Sequence, residues 1–424
     1  MMASGACTAD YRSPSPVRSS RVTPVSRITG GLQSDAAAGV LLLTAAAVAL
    51  IWANSPFGAS YEAVRSLRLG PGGLRLDLTV REWAADGLLA VFFFTIGSEL
   101  KQELVHGELR DPRRAALPIA AAIGGALVPA VVFLAVNAGG GSARDGWGIP
   151  MATDPAFAIA ILGLAGRRLP GALRAFLLTL ATVDDMMAIL VIALAYTKGL
   201  SLAALGGAMA GLALFAWLQY GRHLAARVRA AVPGWLLFGP LGGLIWALMH
   251  ASGIHATIAG VAMGLLMPAT ARPGESASPA ARAEKLMRPA SAAVAVPLFA
   301  LMSAGVTVSG TSGLWASTVT WGVLAGLIGG KFAGIFGTSW VTARFTSAHL
   351  GPQLAWGDVA AIGLLGGTGF TVSLLIAGLS YAGPPQLTDA TGAVLLASAT
   401  ASLLSAIALI IRSPRHRPRT AAAG

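Results

Sequence analysis

Charge is what this chain has least of. Only 11% of its 424 residues are Asp, Glu, Lys or Arg, against about 25% in soluble domains. Residues 289–330 contain no charged residue at all. A chain this apolar, with a mean hydropathy of +0.70, cannot cover itself with a polar surface, which excludes a soluble globular domain. Cysteine is almost missing. Cys7 stands alone, so an intrachain disulfide framework and a cysteine-based metal site are both excluded. Acidic residues are fewer than basic ones, 18 against 30. The resulting net charge of +12 would suit a nucleic-acid partner if it were concentrated on one face, but it is spread along the chain.

What the chain has instead is apolar runs of about 20 residues, the length a helix needs to cross a bilayer. They fall at about 36–53, 83–105, 115–136, 147–166, 173–197, 199–220, 233–250, 254–271, 289–308, 315–342, 356–380 and 389–411. The fold class is therefore an all-α polytopic membrane protein of about twelve spans, with the lipid bilayer as its partner. Twelve spans put both termini on one side. With that side inside, 23 of the 30 lysines and arginines fall in inner segments and 6 in outer ones. This is the positive-inside bias, so no nucleic acid is needed to explain the charge.

Around that domain, 35–412, lie two segments of different composition. Residues 1–34 are Ser-, Arg- and Pro-rich without an apolar run and read as a disordered arm, not a cleaved signal peptide. Residues 413–424 form a short basic tail. Between the first two spans, residues 67–78 alternate Leu with charge around Pro71-Gly72-Gly73, the pattern of an extramembrane β-hairpin. A lone hairpin is marginal in water, which points to pairing with a second copy and a homodimer. Residues 272–288, Pro/Ala/Ser-rich with mixed charge, read as the longest inner loop, and Ser309–Gly313 as a turn.

The scarcity of acids makes three of them conspicuous. Asp154, Asp184 and Asp185 each lie near the middle of an apolar run, as does one basic residue, Lys331. Ionisable residues inside a span are costly and mark functional sites by default. Asp184 and Asp185 are adjacent on a helix, so they diverge by about 100° and cannot both face one ligand directly. Two spans are also interrupted. Thr153-Asp154-Pro155 breaks the fourth, because proline suits the first turn of a new helix but not an interior. Gly366-Gly367-Thr368-Gly369 breaks the eleventh. The fourth and eleventh spans are the middle members of triplets, about 115–197 and 315–411, separated by seven spans. An odd separation makes these inverted repeats, the arrangement of many secondary transporters with a midplane site.

Five stretches, GWGIPMATDPAFAIAILGL, LATVDDMMAILVIALAY, GIHATIAGVAMGLLMP, GGKFAGIFG and LLGGTGFTVSLLIAGL, together with FFFTIGSELKQELVHGEL, resemble the NhaA family of Na+/H+ antiporters. The resemblance runs from about residue 35 to 411. It implies a secondary transporter of a bacterial cytoplasmic membrane that exchanges internal Na+ or Li+ for external H+. By match, Asp185 is the principal cation ligand, Asp154 and Thr153 lie at the crossing of the broken helices, and Asp184 pairs with Lys331. Glu99, Glu103, His255 and Glu284 match positions linked to pH response, and the 67–78 hairpin matches a dimer contact. No cofactor is implied beyond the transported ions. Where the family usually carries histidines, residues 283–289 read Ala-Glu-Lys-Leu-Met-Arg-Pro.

The residue chemistry agrees with that function. Hard cations prefer oxygen ligands, and buried carboxylates supply them. Burial and nearby negative charge favour the protonated form of a carboxylate, so proton and cation would compete for the same oxygens, and the groups would titrate as a coupled set. An intramembrane aspartyl protease also uses two aspartates, but the Tyr-Asp and Gly-x-Gly-Asp contexts it needs are absent here; the reading is a transporter, not an enzyme. Asp86 reads as a solvated residue near the outer end of its span, and Asp358 and Asp389 as helix N-terminal carboxylates.

Overall fold

A computed structural model describes residues 35–412 except 73–75, 166–169, 198, 308–312, 347, 349, 351–353 and 384. The arm, the basic tail, the hairpin tip and most of the 309–313 turn lie outside the described residues.

Helix α1, Asp35–Ala53, is the first apolar run. It ends at Asn54-Ser55-Pro56, where the Asn54 side chain donates to Leu50 O and to Val306 O. The chain then bends by 115° into α2, Gly58–Ser66. This helix carries Glu62 and Arg65 and lies across the end of the bundle. Tyr61 pins it there, donating from its hydroxyl to Leu301 O at 2.7 Å and accepting from Gly305 N at 3.1 Å. The expected hairpin follows as β1, Arg68–Leu69, antiparallel to β2, Leu78–Thr79, with Leu69 opposite Leu78. A capping box of Thr79 and Glu82 starts the second span, α3, Val80–Val105.

The remaining long helices are α4, Pro112–Val136; α6, Gly171–Ala195; α7, Leu202–Tyr220; α9, Gly234–Ala251; α11, Pro279–Ser303; α12, Thr318–Phe345; and α15, Gln386–Arg412. Between them lie α5, Pro155–Ala165, the short α8, Leu224–Ala231, α10, Thr257–Leu265, α13, Trp356–Leu365, and α14, Phe370–Ser380. Among the described residues, eight helices are long and apolar enough to cross a membrane, or up to eleven spans by length and composition if each bent pair is one, with the nine-residue α10 too short to be counted.

The expected eighth span is the outlier. Its helix, α10, has only nine residues, bracketed by Gly253 at φ 85° and by Pro268. It lies hard against α3: a Cβ on Gly260 would come within 2.2 Å of Ala90 O. The expected 272–288 loop is also shorter than its composition suggested, because α11 begins at Pro279. The Ser278 hydroxyl caps Ala281 N at 3.2 Å and proline takes the first turn. This start signal outweighs the mixed charge that read as loop, and it places Glu284 on a helix.

The two expected triplets are α4, α5 and α6, and α12, α13–α14 and α15. Their first members pack against each other at glycine. An added Cβ on Gly124 would lie 2.7 Å from Gly334 O, and one on Gly334 would lie 2.2 Å from Gly124 O. Such small-residue seams let helix backbones approach closely in lipid. The middle members are both broken. A 3-10 segment, Gly141–Met151, meets α5 at 50°, and α13 meets α14 at 45°. The largest buried apolar cluster surrounds both breaks and includes Ile149, Ala152, Phe157, Leu327 and Phe370.

Candidate functional site

The two breaks cross and hydrogen-bond to each other. Thr153 Oγ1 donates to Gly366 O at 2.9 Å, Asp154 N donates to Thr368 O at 2.6 Å, and Ser373 Oγ donates to Ile149 O at 2.6 Å. Carbonyls freed at the end of α13 are thus engaged by donors of the other break. The glycines of the second break serve close approach. A Cβ on Gly367 would lie 2.4 Å from Leu327 O, one on Gly366 2.4 Å from Ile335 Cδ1, and one on Gly369 2.5 Å from Ser373 Oγ.

Pro155 opens α5, as its fixed φ favours, and this makes Asp154 the N-cap of that half-helix. Its Oδ1 accepts from Phe157 N at 3.1 Å. Its Oδ2 accepts from Thr371 Oγ1 at 2.9 Å and Thr371 N at 3.3 Å. One carboxylate therefore faces the N-terminal ends of two half-helices, α5 and α14, each carrying partial positive charge.

Asp184 and Asp185 lie on α6 and point apart, as their spacing requires. Asp184 Oδ2 accepts from Lys331 Nζ at 2.5 Å, and neither side chain has any exposed surface. Lys331 is delivered by α12 immediately after a π-helical turn, Ala325–Gly330; such turns are frequent at functional sites. Asp185 is also buried, and its Oδ1 has no hydrogen-bond partner among the described residues. Asp184 Oδ1 likewise has none, but Asp184 is compensated by Lys331, whereas no such ion pair reaches Asp185 among the described residues.

A cavity of about 110 Å³ reaches Asp185. It is lined by Asp154, Asp185, Thr182, Thr371, Thr95 and Glu99, with Glu284 and Arg288 further along. A second cavity of about 500 Å³ opens on the opposite, hairpin side, lined by Glu62, Arg65, Arg81, Asp86, His255 and Tyr381 among others. The lining changes from one cavity to the other within two turns on three helices: Phe92 to Asp86 on α3, Val296 to Phe299 on α11, and Thr371 to Leu374 on α14. Leu89, Phe93, Phe299 and Leu375 fill this layer and are buried.

The sequence-derived pH-response residues divide between the two cavities. On the Asp185 side, Gln102 Nε2 donates to Glu284 Oε2 at 2.7 Å, and Arg288 sits 3.9 Å from Glu284 and 4.0 Å from Glu99. Glu103 is not among the residues lining the cavity and accepts from Glu108 N, five residues on, at 3.1 Å. His255 belongs to the other side. Its Nε2 lies 3.1 Å from Asp86 Oδ1, while His250 Nδ1 lies 3.4 Å from Asp86 Oδ2.

Asp86 lines the outer cavity, as a funnel residue would, but it is more enclosed than its position suggested. Its side chain is 17% exposed and bridges two imidazoles. It sits in a π-helical turn, Trp83–Leu88, and its carbonyl accepts from Trp246 Nε1 at 2.9 Å. The sequence reading also missed Thr371, which carried no signal beyond its place two residues after Gly369. Asp358 does cap its helix, accepting from Ala355 N at 2.9 Å, but it also forms a buried ion pair with Arg412 at 3.0 Å. Asp389 lies buried in the first turn of α15.

Comparison with known proteins agrees with this architecture. A family model described as Na+/H+ antiporter 1 matches residues 30–409. The chain is 64% identical over 375 residues to "Na(+)/H(+) antiporter NhaA 1/4" of Streptomyces coelicolor, covering 88% of this chain and 92% of that one. It is 55% identical over 389 residues to "Na(+)/H(+) antiporter NhaA" of Thermobifida fusca, covering 91% and 94%. A Streptomyces antibioticus relative with the same name is 52% identical over 394 residues, covering 92% and 80%. With two crossed broken spans, buried carboxylates beside them and similarity along nearly its whole length, the chain belongs to the NhaA family of Na+/H+ antiporters, multi-pass membrane transporters of bacteria and not enzymes.

Proposed function

We propose that this antiporter carries Na+ or Li+ from the cytoplasm outward in exchange for external H+, with Asp185 as the principal ion-binding group. The observation that supports this most strongly is a buried Asp185 carboxylate with one oxygen unpartnered, at the end of a cavity that leads from Glu284. An oxygen of this kind is satisfied by a hard cation or by a proton, and either ion excludes the other. Exclusive occupancy is what couples the two fluxes.

The other groups shape that choice. Asp154 holds the crossing together and brings a second carboxylate to the cavity, with Thr153 fastening the two breaks. Asp184 is held by Lys331 and keeps α6 and α12 in register. Two carboxylates on one cavity hold more than one proton between them, so exchange for one cation is electrogenic. Reorientation moves the barrier between the cavities: the layer of Leu89, Phe93, Phe299 and Leu375 opens on the outer side as the Glu284 side closes. Glu99, Glu284 and Arg288 at the inner mouth, and His255 on Asp86 at the outer one, are placed to make transport pH-dependent.

The positive bias of the Glu284 side orients it to the cytoplasm under the positive-inside rule, in a bacterial inner membrane with both termini inside. The 67–78 hairpin is the contact of a homodimer, pairing its open edges with those of a second copy.

The test is proton release from inside-out vesicles on addition of Na+. The intact protein gives a Na+-dependent pH change, and Asp185→Asn abolishes it. Normal exchange by that variant overturns the assignment.

A further inference from the structure

We infer that Thr371 is a specificity-determining residue of the cation site, supplying a hydroxyl ligand in addition to orienting Asp154. The inference rests on the proposed location of the site at Asp185 and adds a residue to it.

Three observations carry it. Thr371 is buried, yet it lines the cavity that reaches Asp154 and Asp185. Its hydroxyl donates to Asp154 Oδ2 at 2.9 Å, and its backbone amide donates to the same oxygen at 3.3 Å. The neighbouring Asp185 carboxylate has an oxygen with no partner among the described residues.

A hydroxyl has one proton to give and two lone pairs to offer. Here the proton is directed at Asp154, which leaves the lone pairs for another group. A carboxylate such as Asp185 cannot use them unless it is protonated. A hard monovalent cation can use them directly, because oxygen is the donor such ions prefer. A cation between the two aspartates would thus meet the Asp185 carboxylate, the Asp154 carboxylate and the Thr371 hydroxyl oxygen. The backbone amide holds Asp154 even without the hydroxyl, so the side chain is not needed merely to keep the crossing closed.

Placement on α14 gives the residue a second consequence. Thr371 faces the inner cavity, while Leu374, one turn on, faces the outer cavity. A ligand on this half-helix follows it when the barrier moves, so the cation stays coordinated during reorientation. Its loss is felt most by the smaller ion, whose stronger field gains more from each oxygen.

Thr371→Val keeps the shape and removes the oxygen; Thr371→Ser keeps the oxygen and removes the methyl group. Both are reconstituted in proteoliposomes beside the intact protein and Asp185→Asn, and exchange is measured against Na+ and Li+ concentration at several pH values. The valine variant is expected to raise the cation KM roughly ten-fold or more, the order expected for losing one hydrogen-bonding contact to a charged group. Li+ should suffer more than Na+, and the pH profile should shift because cation competes less well with protons. Serine should restore both KM and profile. A structural role alone would lower the amount of folded protein equally for both ions without changing KM. If the valine variant shows the KM, Li+/Na+ ratio and pH profile of the intact protein, the inference is overturned. If Asp185→Asn also exchanges normally, the underlying site assignment falls as well, so the two failures are distinguishable.

Discussion

Lys331 and Asp184 are the most exacting pair in this protein to disturb. Both side chains are completely buried, with Nζ and Oδ2 at 2.5 Å. The lysine stem passes α4 at Gly125, where an added Cβ would lie 3.9 Å from Cδ. Lys331→Met preserves the stem's bulk and removes only the ammonium, so any loss reflects charge. The variant leaves Asp184 in an apolar interior without its cation. Breaking a buried pair from one side costs about 3–5 kcal/mol, because the surviving charge is left uncompensated. At about 1.4 kcal/mol per factor of ten, that lowers the folded-to-unfolded ratio by roughly two to three and a half orders of magnitude. Removing both charges is a different matter, since replacing a buried pair by groups of similar volume is often neutral. The double variant Asp184→Asn with Lys331→Met should therefore recover most of the stability lost by either single change. The assay is thermal and denaturant unfolding of the purified protein in detergent, for the intact chain, both single variants and the double. A Lys331→Met variant as stable as the intact protein would refute the reasoning. A double variant no more stable than the worse single one would do so too.

Two further outcomes test the periphery of the same architecture. Arg412→Ala removes a partner of the buried Asp358, at 3.0 Å between the end of α15 and the start of α13, and should cost about 1.5–3 kcal/mol, the range for a hydrogen bond to a charged group, read in the same unfolding assay; no measurable loss would show that the remaining contacts of Asp358 suffice. Deletion of residues 70–75 should convert the protein from dimer to monomer by light scattering while leaving exchange in proteoliposomes detectable, and an unchanged mass would remove the hairpin from the dimer contact.

What could be read from sequence and what could not divides along one physical line. Asp154, Asp184, Asp185 and Lys331 were visible because each contradicts its surroundings: a charge in an apolar run needs a reason. The two breaks were visible because Pro155 and Gly366-Gly367 are poor helix-interior residues. Both signals are local. The partners were not local. Nothing in the stretch around Asp86 indicates that His250 and His255, more than 160 positions away, close on its carboxylate. Arg412 looked like one more basic residue at the end of a span, although it is committed to Asp358. Thr371 was hidden because threonine is ordinary in a membrane helix, and only the crossing brings it to Asp154. The start of α11 is hidden for the opposite reason. Its local signal, Ser278-Pro279, is present, but the mixed charge that follows it resembles a loop in composition.

The contrast between Asp154 and Asp185 explains why a broken crossing suits ion exchange. A carboxylate inside a membrane must be neutralised by something. Asp154 has both oxygens held by donors of α5 and α14, so the fold orients it and partly compensates its charge before any ion arrives. Asp185 has a carboxylate oxygen with no partner and no ion pair among the described residues, Lys331 being committed to Asp184, so a mobile ion is the group left to compensate it. Had both aspartates been satisfied internally, no ion would be needed and none would be carried. Had both been left open, the two half-helix ends would face each other with like partial charges and nothing between them. Continuous helices could not provide this division, because their interior amides are already bonded along the helix. Interrupting two spans frees the donors that fix one aspartate, and fixing that one lets the other remain available for exchange.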